Sequence, residues 1–139
     1  MTLEYENSPA APAAQVVIVD DSDDAALSLT MLFDLEGIST ATAADAESAL
    51  TLIERTLPAL CLIDIGLPGI SGTELAQRLR AMPATRAITL IALTGREAGL
   101  DAQSRSQAQV FDQYWTKPFD PKRLIAEVQA VIARAGSGG

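Results

Sequence analysis

The sequence contains no histidine and a single cysteine, Cys61. Without histidine there is no Ser–His or Cys–His nucleophile pair, no His-ligated zinc and no histidine to carry phosphate. One cysteine makes neither an internal disulfide nor a cysteine metal cluster. Positive charge is also short. Ten Lys and Arg face 18 Asp and Glu, a formal charge of −8, the reverse of the basic footprint that direct nucleic-acid binding needs. No stretch approaches the roughly 18 consecutive apolar residues of a membrane helix. The first seven residues carry acids where a signal peptide has basic residues and then an apolar run. These absences predict a soluble, cytoplasmic protein with no direct nucleic-acid or membrane partner. A length of 139 residues predicts one domain with its own core and no room for a second.

What is present is alternation. Residues 1–14 mix Pro9, Pro12, alanine and polar residues without periodicity, and Gly136-Ser137-Gly138-Gly139 has a flexible composition, which predicts a folded part over about 15–135. Within it five short apolar runs, Val16–Val19, Ile38–Ala43, Leu60–Ile63, Ile88–Leu93 and Phe111–Thr116, read as strands. Val16–Val19 and Leu60–Ile63 are apolar without alternation, as in central parallel strands covered on both faces. Ile38–Ala43 alternates with Ser and Thr, which suits a sheet edge. Cys61, among apolar neighbours, reads as a core residue, and Trp115 faces away from Tyr114 by strand alternation.

Helical signatures fill the intervals. Ser22 precedes Leu27, Met31, Leu32 and Leu35 at three- and four-residue spacing. Asp45 is placed to cap a helix whose inner face is Ala46, Ala49, Leu50 and Ile53. Ser71 and Glu74 form a capping box ahead of Leu75 and Leu79. Asp120 with Pro121 opens a last helix striped by Leu124, Ile125, Val128, Val131 and Ile132. A fourth helix, over about 97–108, is mostly polar and thinly anchored. Strand and helix alternating five times predict an α/β fold with a parallel sheet and helices on both faces.

The polar residues that interrupt this pattern fall at strand ends: Asp20-Asp21 after the first strand, Asp64 after the third, Thr94 after the fourth and Lys117 after the fifth. In an open parallel sheet, ligands bind outside the carboxyl ends of the strands. Three carboxylates on one rim repel; two charges about 4 Å apart cost roughly 4 kcal/mol at an effective dielectric of 20. A bound cation relieves that, and an all-oxygen donor set beside a lysine points to Mg²⁺ shared with a phosphate. Taken singly, Asp20, Asp21 and Ser22 also suit helix capping, Thr94 a turn and Lys117 a solvated surface charge.

Four segments carry a resemblance when read together: Val-Val-Ile-Val-Asp20-Asp21-Ser, Leu-Cys-Leu-Ile-Asp64-Ile-Gly66-Leu-Pro68-Gly69-Ile-Ser-Gly72, Ala-Leu-Thr94-Gly95, and Tyr114-Trp-Thr-Lys117-Pro118-Phe119-Asp. In order and spacing, over about 15–134, the chain resembles the receiver domains of two-component response regulators. The resemblance implies a doubly wound, flavodoxin-like domain: a five-stranded parallel sheet of order 2-1-3-4-5 with five helices on both faces. It implies that Asp64 accepts a phosphoryl group from a sensor histidine kinase or a histidine phosphotransfer protein. Asp20, Asp21, Asp64 and the Gly66 backbone carbonyl would hold Mg²⁺, Lys117 would pair with the phosphoryl oxygens, and Thr94 would bond the attached phosphate. Tyr114 matches the aromatic switch that follows the threonine, and Lys117-Pro118 is similar to the family's cis peptide. The output face would be formed by the helix at 97–108, the fifth strand and the last helix, addressing a downstream protein or a second copy. The chain would then be a signalling acceptor and not an enzyme.

The physical logic agrees. Carboxylates serve as covalent phosphoryl acceptors, and phosphoryl transfer depends on positioning and charge neutralisation, with no base needed for an ionised nucleophile. Val110-Phe111 departs from the family's usual Gly-Ala pair, which bears on how the fourth helix ends. Gly66 and Arg96 flank the site. Two other readings remain at this point: a pseudo-receiver that binds a partner without phosphorylation, and a Mg²⁺-dependent aspartyl-phosphate phosphatase. The phosphatase class places its nucleophile in an Asp-x-Asp pattern on the first strand, where this chain has adjacent aspartates.

Overall fold

Five strands and, among the described residues, four helices form from these segments. The computed structural model describes residues 14–65, 72–95 and 110–138. In chain order the elements are β1 (Val16–Val19), α1 (Asp23–Leu35), β2 (Thr40–Ala43), α2 (Ala46–Thr56), β3 (Leu60–Asp64), α3 (Gly72–Ala81), β4 (Thr89–Thr94), β5 (Gln113–Thr116) and α4 (Pro121–Gly138). The helix expected over 97–108 lies outside the described residues, as do Gly66, Arg96 and the Ser71 half of the capping box. The backbone of α4 is helical through Gly138, three residues past the boundary at 135 drawn from composition.

All neighbouring strands pair in parallel, in the order β2-β1-β3-β4-β5. This is the doubly wound flavodoxin-like order, with β2 at an edge as its polar alternation requires. Two strands start later than the apolar runs suggest. Ile38 donates its N–H to the Phe33 carbonyl at 3.0 Å and so closes α1 instead of opening β2. Phe111 is buried ahead of β5, whose pairing begins at Gln113.

Strand alternation sorts the core into two layers. Val17, Val19, Cys61, Ile63, Leu90 and Ala92 point to one face and pack with α2 and α3. Val16, Ile18, Leu60, Leu62, Ile91 and Leu93 point to the other and pack with α1 and α4. Fully buried aliphatic side chains such as these contribute about 1.5–3 kcal/mol each. Cys61 is buried, and burial pushes its thiol pKa well up. Tyr114 packs on the first layer and Trp115 on the second, as alternation requires.

The caps form as read. Ser22 Oγ accepts the Ala25 N–H at 3.2 Å, Asp45 Oδ1 accepts the Ser48 N–H at 2.8 Å, and Asp120 Oδ1 accepts the Lys122 N–H at 3.0 Å. The line by which α1 meets the sheet is different from the one its larger aliphatics suggest. Ala26, Leu29 and Phe33 are buried, while Leu27, Met31 and Leu35 are 56%, 59% and 82% exposed. Both sets repeat at helical spacing, so periodicity alone does not choose between them. Phe33, the largest, takes the sheet-facing side.

Candidate functional site

Register brings the polar strand ends to one level. Val19 pairs with Ile63, Asp64 with Leu93, and Thr94 with Thr116. Asp20, Asp64, Thr94 and Lys117 therefore stand side by side at the carboxyl rim, and β1 and β3 flank the switch point of the sheet. Backbone bonds fix the rim: Asp20 N–H to Ala43 O at 3.0 Å, Ile65 N–H to Leu93 O at 3.0 Å, and Lys117 N–H to Thr94 O at 2.7 Å. The Lys117–Pro118 peptide is cis.

Asp20, Asp21 and Asp64 each present an oxygen such that all three lie within 4.8 Å of one another. Their burial is graded, with Asp20 buried, Asp64 half-buried and Asp21 exposed. Lys117 Nζ lies 3.5 Å from Asp20 Oδ2 and 3.7 Å from Asp64 Oδ2. Burial pushes the Asp20 carboxyl above the usual value of 3.8, against the opposing pull of the Ser22 N–H and the Lys117 charge. That N–H reaches Asp20 Oδ1 at 2.9 Å, so one residue both caps α1 and orients an acid of the rim. The capping reading of Ser22 is met, and the same residue contacts an acid of the rim.

Thr94 is 3% exposed, and its Oγ donates to the Gly95 carbonyl at 3.3 Å. Tyr114 pairs opposite Ala92, two residues before Thr94 on β4, which places Tyr114 and Thr94 on one face of the sheet. Gly66 lies outside the described residues.

The fit to a divalent cation can be judged from the donors. Three carboxylates against one ammonium leave two formal negative charges. The donors are all oxygen, and a face open to solvent at Asp21 leaves room for water ligands. That is the chemistry Mg²⁺ takes. Asp20, Asp21 and Asp64 fit the ion.

Two supporting residues have roles that the motifs do not state. A Cβ built on Gly72 would meet the Asp64 carbonyl oxygen at 2.5 Å and Ile65 Cα at 2.9 Å, so only glycine lets α3 start this close to the end of β3, which carries Asp64. Arg80 is the second. It donates to the carbonyls of Val110 at 2.9 Å, Arg86 at 2.7 Å and Ile88 at 2.8 Å, and to the Asp112 carboxylate at 2.8 Å. A signal existed in the sequence, since Arg80 stands four residues after Ala76 on the inward line of α3.

The response regulator receiver domain family matches residues 16–129. An uncharacterized 14.6 kDa protein in the sodA1 3′ region of Leptolyngbya boryana is 37% identical over 114 residues, covering 82% of this chain and 86% of that one. The sensory transduction protein RegX3 of Mycolicibacterium smegmatis is 34% identical over 119 residues, 86% of this chain but 50% of RegX3. This chain thus spans about half the length of RegX3. Among solved structures, the receiver domain of Francisella response regulator 1452 superposes with a TM-score of 0.75 at 27% identity, covering 86% of this chain and 97% of that one. No helix among the described residues is long and apolar enough to cross a membrane. With the parallel order, the acid rim and the family match in agreement, the chain belongs to the response regulator receiver domains of two-component systems.

Proposed function

We propose that this receiver domain is a phosphorylation switch in which Asp64 accepts a phosphoryl group from a phosphohistidine on a sensor histidine kinase or a histidine phosphotransfer protein. The observation that carries the reading is the rim itself: three carboxylate oxygens within 4.8 Å of one another and a lysine that reaches two of the three carboxylates. An Asp64 carboxylate oxygen attacks phosphorus and the P–N bond to imidazole breaks. Its electron pair returns to the ring nitrogen, which takes up a proton from solvent. Asp20, Asp21 and Asp64, with the Gly66 carbonyl, would hold Mg²⁺, whose charge when bound would offset that of the transferring oxygens.

The chain's own groups do the rest. Lys117 already shares its ammonium between Asp20 and Asp64 and turns to the new phosphoryl oxygens. Thr94 exchanges its bond to Gly95 O for one to the phosphate, and Tyr114 follows it on the same face. The change is passed to a downstream protein or a second copy at the face containing β5 and α4. The chain acts as an acceptor in the cytoplasm and not as an enzyme on a separate substrate. Inverting a 1:99 population takes about 5.5 kcal/mol of differential stabilisation. Charge-assisted bonds from phosphate to Lys117 and Thr94 are strong enough to provide much of it.

Acetyl phosphate or beryllofluoride with Mg²⁺ is expected to change Trp115 and Tyr114 fluorescence and, for acetyl phosphate, to add one phosphoryl mass. Asp64→Asn is expected to do neither. A parent protein that gives no Mg²⁺-dependent response would overturn the reading.

A further inference from the structure

Phe111 has no part in the phosphoacceptor reading, yet it is 6% exposed and belongs to the core layer under α2 and α3. Its ring meets that of Tyr114 edge to face, with centroids 5.6 Å apart and planes at 68°. The backbone on both sides of it is fastened. Arg80 donates to the Val110 carbonyl at 2.9 Å and to the Asp112 carboxylate at 2.8 Å. The same carboxylate oxygen accepts the Leu90 N–H at 2.8 Å, and the Asp112 N–H donates to Leu90 O at 2.7 Å. Phe111 is therefore mounted on a fixed segment, anchored to α3 and β4.

Tyr114 is differently placed. It is half-buried and stands opposite Ala92, whose side chain is a single methyl. Thr94 lies on the same face two residues further along β4. The tyrosine ring thus has a fixed aromatic partner on the side of Phe111 and a small neighbour on the strand that leads to Thr94.

We propose that Phe111 is a positioning residue for Tyr114: its buried ring holds the tyrosine in one side-chain orientation and so defines the resting state of the output face. The consequence for signalling rests on the phosphoacceptor reading, whereas the ring contact does not. Edge-to-face pairs of this kind change an equilibrium by about 2- to 12-fold. Phe111 touches no reacting atom, so its effect passes through Tyr114.

The test is the Tyr114 χ1 rotamer ratio, from NMR scalar couplings of the unphosphorylated full chain, in the parent and in Phe111→Ala, Phe111→Leu and Ile53→Val. Ile53→Val trims the same core layer away from Tyr114 and controls for general loosening. One rotamer is expected to dominate in the parent and in Ile53→Val, and its excess is expected to fall by about 2- to 12-fold in both Phe111 variants. Phe111→Leu keeps a buried apolar group without a ring and carries the measurement if Phe111→Ala does not fold. An unchanged ratio in the Phe111 variants, or an equal fall in Ile53→Val, would overturn the proposal. No phosphodonor enters this measurement. A parent protein that failed to bind beryllofluoride would count against the phosphoacceptor reading, while the rotamer ratio alone decides the role of Phe111.

Discussion

Lys117 and Asp20 are 97 residues apart in the chain and meet with 3.5 Å between ammonium and carboxylate. The same nitrogen lies 3.7 Å from Asp64. Neither distance reaches the roughly 2.7–2.9 Å of a strong charge-assisted bond. One cation is thus shared between two acids and committed to neither, an arrangement suited to a third anion arriving at Asp64. The cost of that arrangement falls on Asp20, which is 2% exposed and whose pKa burial raises.

Removing the shared cation exposes that cost. Lys117→Met removes the ammonium that lies within 4 Å of both Asp20 and Asp64. Two such carboxylates about 4 Å apart repel by roughly 4 kcal/mol at an effective dielectric of 20. Solvent reaching the partly exposed Asp64 and the open face at Asp21 screens much of this. Lys117→Met is expected to lower stability by about 1 kcal/mol in urea unfolding with EDTA, and by less in saturating Mg²⁺. An equal loss in the two buffers would show that charge repulsion at the rim is not the cause.

Much of this was legible in the sequence because the rim is a register effect. The residues one step beyond β1, at the end of β3, at the end of β4 and one step beyond β5 meet whenever strands of these lengths align in parallel, and alternation fixed the sides of Tyr114 and Trp115. Residues whose role depends on tertiary detail were less legible. Leu27, Met31 and Leu35 repeat at helical spacing, as Ala26, Leu29 and Phe33 also do, and only packing decided between them. The place of Arg80 on the inward line of α3 is readable, but its partners are not until Val110, Arg86 and Ile88 turn their carbonyls toward it. Gly72 stands in one of the segments that carry the resemblance, but the close approach that demands glycine there shows only when α3 is seen against the end of β3.

Gly72→Ala sets two effects in opposition. In an open helix the change would stabilise by roughly 0.5–1 kcal/mol. Here the new Cβ would meet the Asp64 carbonyl oxygen at 2.5 Å, a backbone atom that cannot rotate away. Overpacking of this kind costs typically about 1–3 kcal/mol, so a net loss is expected in chemical unfolding. Mg²⁺ affinity, read by Trp115 fluorescence titration, is expected to fall with it, since the displaced end of β3 carries Asp64. A gain in stability would mean that the end of β3 moves aside freely.

The cap of α2 gives a pH signature. The Ser48 backbone N–H bonds the Asp45 carboxylate and holds its pKa below the usual value of 3.8. A carboxyl depressed by folding stabilises the fold above its unfolded pKa, and that contribution is lost as pH falls through the folded value. The parent is therefore expected to be more stable than Asp45→Ala at neutral pH, with the gap narrowing as pH drops below about 4. Guanidinium unfolding of both proteins from pH 7 to pH 3 measures it, and a gap that widened on acidification would reverse the assigned sign.

Arg80 offers the sharpest separation between fold and site. Its guanidinium donates to three backbone carbonyls and to Asp112, and it joins α3 to the loop before β4 and to the entry of β5. Arg80→Met leaves half-buried carbonyls without a donor, at about 1–3 kcal/mol for each group that water fails to reach. A total loss of about 2–4 kcal/mol is expected, and unfolding in urea measures it. Lysine has one ammonium where arginine has a planar fork, so Arg80→Lys is expected to restore less than half. The acid rim stands at the opposite ends of the strands, and its Mg²⁺ affinity is expected to stay within about twofold in both variants, an energy change of about 0.4 kcal/mol at most. Full rescue by lysine would show that the charge, and not the geometry of the fork, holds β5 in place.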